Sequence, residues 1–147
     1  MTEAQAVEAL YEQWQTGWEI IHPSIVGDPE RVPYTFTNES FSDDQVGDLG
    51  AWVRVSMNHA TAGQITHNKP PSRRFERRGE VFVQIFAPVD AGVLLLAELA
   101  DDVRSVLEGV RIGDDFCTYA GRTQPNPEDG QWSMATVVIP FRYVETR

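Results

Sequence analysis

The stretch Arg77–Gly92, RRGEVFVQIFAPVDAG, and its continuation Val93–Gly109, VLLLAELADDVRSVLEG, decide how the chain folds. Residues 80–87 are dominated by Val, Ile and Phe and read as a strand. Residues 91–108 read as an amphipathic helix. Leu95, Leu96, Leu99, Val103, Val106 and Leu107 fall on one stripe that Val110 continues, with Glu98, Asp101, Asp102, Arg104 and Glu108 largely off it. Gly109 suits the position after a helix, and Asp90 is expected to cap the helix start. A strand that passes through Pro-x-Asp-x-Gly into a helix invites a phosphate-binding reading. Neither G-x-x-x-x-G-K-[ST] nor G-x-G-x-x-G is present. A carboxylate at Asp90 would also repel a phosphate from the positive helix end.

Residues 3–21 predict a second amphipathic helix, with Val7, Leu10, Tyr11, Trp14, Trp18 and Ile21 at helical spacing. Thr2 is its expected cap, Gly17 weakens its last turns, and His22-Pro23 ends it. Residues 23–50 are rich in Pro, Gly, Asp and Asn. They include VPYTFTNESF, read as an edge strand interrupted by Pro33, and an acidic turn, SDDQVGDLG. Residues 51–58 alternate, with Ala51, Val53, Val55 and Met57 facing the core. Residues 115–120 and 132–144 read as strands, with Pro140 implying a bulge or an edge position near the end of the second. Residues 121–131 read as a loop with two prolines. Residues 59–76 show no periodicity and are expected to be a long structureless loop, an uncommon feature above about 12–15 residues.

The predicted architecture is α+β: a single domain over 1–147, with a mixed or mostly antiparallel β-sheet and two helices packed on it. A right-handed crossover is expected if strands 80–87 and 115–120 are parallel neighbours. At 147 residues and 41% hydrophobic composition the chain can bury a core without disulfides or metals. The net charge of −10 disfavours a sequence-reading nucleic-acid binder. The lone Cys117 fits a reducing compartment, and nothing at the amino terminus resembles a signal peptide. The longest apolar run, VLLLA, is far short of the roughly 20 residues of a membrane helix, so no membrane partner is expected.

Residues with chemical potential are few. His22, His59 and His67 make no HExxH and no helical i, i+4 pair, so no metal site is expected. His59 and His67 share the long loop, where the plain reading is two exposed polar side chains. Cys117 sits in apolar alternation and reads as a small core residue rather than a nucleophile. The acid pairs Asp43-Asp44, Asp101-Asp102 and Asp114-Asp115 are sequence neighbours that do not face each other, and they read as solvated charge. No catalytic residue and no cofactor are expected.

One charge cluster stands out. Five of the 12 Lys and Arg residues lie in KPPSRRFERR: Lys69, Arg73, Arg74, Arg77 and Arg78, opposed there only by Glu76. The plain reading is a solvated loop. The sharper one is a docking surface over 59–78, in which basic side chains meet an acidic patch of another copy and Phe75 supplies an apolar anchor.

The order of AVEALYEQW, PYTFTNESF, WVRVSMN, RRFERRGEVFVQIFAPVDAG, LAELADDVRSVLEG and MATVVIPFRYVE resembles the tail terminator proteins of long-tailed bacteriophages, the lambda-like minor tail protein U family. The resemblance runs over nearly the whole chain. It implies a virion structural protein rather than an enzyme. Such a subunit is assembled in the host bacterial cytoplasm and located at the head-proximal end of the tail. It forms a hexameric ring that caps the tail tube, stops its elongation and offers the head-docking surface. The implied partners are further copies of the chain, the tail tube protein, a head-completion or connector protein, and DNA passing through the channel without specific contact. In that setting Lys69, Arg73, Arg74, Phe75, Arg77 and Arg78 are candidates for a subunit-interface or lumen loop. The alternatives are another head–tail joining or tail-tube component, and a small enzyme using His59, His67 or Cys117.

Overall fold

The computed structural model describes residues 1–23, 28–39, 50–126 and 130–147. Among these, two helices pack on one face of a seven-stranded sheet, so the domain is α+β as expected. Helix α1 spans Glu3–Ile21. Thr2 and Gln5 close a capping box at its start, and His22 caps its end. Helix α2 spans Val93–Leu107. The strands are β1 (Tyr34–Phe36), β2 (Trp52–Gln64), β3 (Arg74–Pro88), β4 (Arg111–Ile112), β5 (Phe116–Thr118), β6 (Arg122–Pro125) and β7 (Trp132–Thr146).

The sheet order is β1-β2-β3-β7-β5-β4, with β6 also bonded to β7. Among the described residues only β1, which runs parallel to β2, departs from antiparallel pairing. Strands β3 and β5 are therefore parallel, but they are not neighbours, because the last strand, β7, lies between them. The expected parallel contact is replaced by the longest antiparallel ladder in the molecule, from Arg74↔Thr146 to Pro88↔Trp132.

Alternation along these ladders sorts the side chains. Val53 and Val55 on β2, Val81, Val83 and Ile85 on β3, and Val137, Ile139, Phe141 and Tyr143 on β7 face the helices and are fully or almost fully buried. Against them α1 sets Leu10, Trp14 and Trp18, and α2 sets Leu99, Val103 and Leu107. The Trp18 indole donates to the Val32 carbonyl oxygen at 2.9 Å, which satisfies its buried N–H. Strand β1 docks through Phe36, stacked on Tyr11 with centroids 3.9 Å apart.

Several sequence expectations are corrected. Asp90 does not cap α2. It lies exposed in a single 3-10 turn, Val89–Ala91, while Gly92 occupies the cap position with φ 87° and no side-chain cap bond. That left-handed backbone favours glycine and places the helix start beyond the reach of Asp90. Gly17, besides its low helix propensity, is a site of close packing: a Cβ there would stand 2.7 Å from Val106 Cγ1 on α2.

Pro140 makes neither a bulge nor an edge. It pairs regularly with Glu80 in the centre of the sheet. Its side facing away from β3 falls where the second neighbour of β7 changes from β6 to β5, so no ladder bond needs its missing N–H. The expected loop 121–131 contains β6, and β4 has no counterpart in the sequence reading. The acidic turn around Asp43-Asp44 lies outside the described residues.

Candidate assembly surface: a basic three-stranded arm

The stretch 59–76 is not a structureless loop. Strand β2 continues to Gln64 and β3 begins at Arg74, so only 65–73 remain as a connection. Its Pro70-Pro71 bond is cis. Periodicity fails in the sequence because the two strands leave the helix layer here. Ala60 to Gln64 are all exposed, so no alternation of polar and apolar residues is required. The ladder also shifts register between His59 and Thr61, opposite Gly79 and Arg78. Gly79 is required at the shift, since a Cβ there would lie 2.0 Å from the Asn58 carbonyl oxygen and 2.6 Å from Phe141 Cζ. The end of β7 adds the third strand, closed by paired backbone bonds between Arg73 and Arg147 at 2.8 and 2.7 Å.

The five basic sequence candidates divide into two groups. Arg77 and Arg78 are ion-paired within the arm. Arg77 Nη2 lies 2.8 Å from Glu145 Oε2, and Arg147 Nε lies 2.6 Å from the other oxygen of the same carboxylate. On the opposite face, Arg78 Nε and Arg142 Nη1 hold Glu76 at 2.5 and 3.2 Å. Phe75 is half-buried, with the Arg77 guanidinium 5.6 Å from its ring centre, so it serves the arm itself as well as any partner. Lys69, Arg73 and Arg74 have no acidic partner among the described residues and form the open positive end of the arm.

Glu145, Arg142 and Arg147 were missed in the sequence reading. The available signal was parity: Glu145 continues the buried series Val137, Ile139, Phe141, Tyr143 and is itself only 2% exposed. Burial raises the Glu145 pKa, but hydrogen bonds from Arg147 and Arg77 outweigh it and hold the carboxyl below its ordinary value. Glu76 is also held low, chiefly by its hydrogen bond from Arg78.

The arm, residues 60–78 with 141–147, carries seven Lys and Arg against two Glu, a side-chain charge of +5. The remainder carries five against 20, a charge of −15. Four exposed glutamates, Glu3, Glu8, Glu12 and Glu19, lie on α1, which has no Lys or Arg.

The histidines and the cysteine do not converge. His59 lies on the helix-facing side of the sheet, its Nε2 3.0 Å from the Tyr143 hydroxyl and its ring edge-on to Phe141. Cys117 pairs in register with Arg142 on the opposite face. His67 is exposed in the 65–73 connection. His22 bridges α1 to α2 through Asp102 at 2.8 Å. Among the described residues no group of three or more His, Cys, Asp or Glu could hold a metal ion.

No family model and no curated protein matches the chain. A solved protein whose own name describes no function superposes with a TM-score of 0.61 at 16% identity, over 100% of this chain and 99% of that one. At that identity the likeness concerns the fold alone. The features above define a small α+β domain with a charge-separated, strand-built projection.

Proposed function

We propose that the protein is a self-assembling structural subunit of a phage tail, a tail terminator that closes into a hexameric ring on the head-proximal end of the tube. The observation that carries this reading is the separation of charge: an arm of +5 on a body of −15. One copy thereby offers two different and complementary surfaces. Contacts of that heterologous kind close into rings when the rotation between copies permits. The sequence resemblance to tail terminators supports the particular role. An acidic body is also compatible with a channel through which DNA must pass without being held.

The test is electron microscopy of purified tail tubes with and without the protein, alongside native mass measurement of the protein alone. A ring at one tube end, and tubes that stop lengthening once it is bound, are the expected results. Tubes that keep extending in its presence would remove the terminator role. A ring seated inside the tube or on the capsid would instead favour another joining component.

A further inference from the structure

Among the described residues, strand β2 is covered on its outer side where β1 reaches it, at Val53–Val55, with Thr37 adding a last bond to the Val55 carbonyl oxygen. Among the described residues, beyond Val55 the strand runs on to Gln64 with a partner on one side, β3. Register fixes which groups face outward. Val53 N–H and Val55 C=O point away from β3, to Pro33 and Thr37. Alternation carries the same direction to Met57 and His59. The extra residue at the register shift moves it to Ala62 and Gln64, consistent with Ile65 N–H bonding inward to the Arg74 carbonyl oxygen. Four residues, Met57, His59, Ala62 and Gln64, therefore present their N–H and C=O along one exposed edge, with no partner among the described residues.

Edges of this kind are normally guarded by charge, proline or shortness. The other open edges here follow that rule. Strand β1 has three residues and follows Pro33, β4 has two, and β6 carries Arg122 and Pro125. Strand β2 does not. From Val55 to Asn68 the sequence contains no Asp, Glu, Lys, Arg or Pro, in a chain that is 23% charged. The exposed residues beside the edge, Ala60, Thr61, Ala62 and Gly63, are also small enough for another backbone to approach.

We propose, building on the ring reading above, that the β2 edge from Met57 to Gln64 is the seam between copies, where an extended segment of a second copy adds as a further strand. Charge selects that occupant. A strand added here lies along an arm of +5, and a second copy brings a body of −15 and an α1 surface with glutamates and no basic residue. Main-chain bonds supply the attachment and the charges supply orientation.

The test uses Ala62→Pro. Its N–H points outward, so proline deletes a donor of the seam and leaves the β2–β3 ladder intact. Ala62→Val keeps the donor and serves as the control. Native mass measurement should find rings for the wild type and Ala62→Val, and monomers for Ala62→Pro with an unchanged circular dichroism spectrum. Rings of Ala62→Pro would overturn the seam while leaving the ring reading in place. A wild type that never assembles, alone or with tubes, would overturn both.

Amide hydrogen exchange on the wild type gives an answer that needs no variant. Met57, His59, Ala62 and Gln64 should become protected on assembly of the protein alone. Unchanged exchange at these four amides in the ring, or protection only when tail tubes are added, would overturn the assignment to a second copy.

Discussion

Arg77 on β3 and Glu145 on β7 meet diagonally across the central ladder, Nε and Nη2 of the guanidinium donating to Oε2 at 3.0 and 2.8 Å. The register places Arg77 opposite Tyr143 and Glu145 opposite Phe75, so the pair stitches two rungs together where the sheet leaves the helices. Glu145 is buried and Arg77 half-buried. Truncating the carboxylate leaves a guanidinium without compensation. Glu145→Ala should therefore cost about 1.5–3 kcal/mol, the range for hydrogen bonds to charged groups. Urea unfolding should show a lower midpoint with an unchanged slope. A loss within experimental error would mean that solvent already screens the pair.

The same carboxylates set an acid limit. Glu145 and Glu76 are held below the ordinary 4.5, so the unfolded chain binds their protons more readily than the folded one. The stability they contribute is complete above that ordinary value and is lost as pH falls through it towards their folded values. Thermal unfolding followed from pH 6 downwards should show the decline, and Glu145→Gln should flatten it. A Glu145→Gln profile as steep as the wild type would assign the acid sensitivity to other carboxylates.

Gly79 sits where the register shifts. Any Cβ meets the Asn58 carbonyl oxygen at 2.0 Å and the Phe141 ring at 2.6 Å, and neither is the free end of a flexible side chain. Gly79→Ala should cost at least about 3 kcal/mol, the upper part of the range for overpacking. Chemical denaturation reads this directly, and a soluble variant of wild-type stability would place the register shift elsewhere.

Gly17 opposes two effects of known size. Replacing a helical Gly by Ala gains about 1 kcal/mol in propensity. The new methyl must displace Val106 Cγ1 from 2.7 Å, and valine is stiff at χ1, so overpacking of about 1–3 kcal/mol wins. Gly17→Ala should destabilise the wild type but stabilise a Val106→Ala background. Additive effects of the two substitutions would rule out a direct contact.

These sites show what the sequence disclosed and what it hid. The two helices and the cores of β2, β3 and β7 were legible because each buries one face, and burial writes a period into the residues. The arm was not, since both faces of 60–64 meet solvent and leave no period. The capping role expected of Asp90 failed because a backbone dihedral at Gly92, not local side-chain chemistry, fixes where α2 starts. The basic cluster was visible as composition. Its division into paired Arg77 and Arg78 and open Lys69, Arg73 and Arg74 depends for Arg77 on Glu145, 68 residues away along the chain, and for Arg78 on strand parity that sets Glu76 on the same face of β3.

That division predicts opposite outcomes for charge reversal. Lys69→Glu with Arg74→Glu removes positive charge from the open end without breaking an ion pair, so folding should be unaffected while assembly weakens. Sedimentation at low and moderate salt should show the defect, and added salt should narrow the difference by screening the wild type. Equal assembly at every salt concentration would exclude the open end from the interface.

A domain that closes into a ring on a tail tube, as proposed above, must be found at the tube end. Electron microscopy of tubes assembled to completion with the protein tests it most directly. A hexameric ring at one end of every length-limited tube is the expected result. Tubes with bare ends, in the presence of protein that remains monomeric, would contradict it.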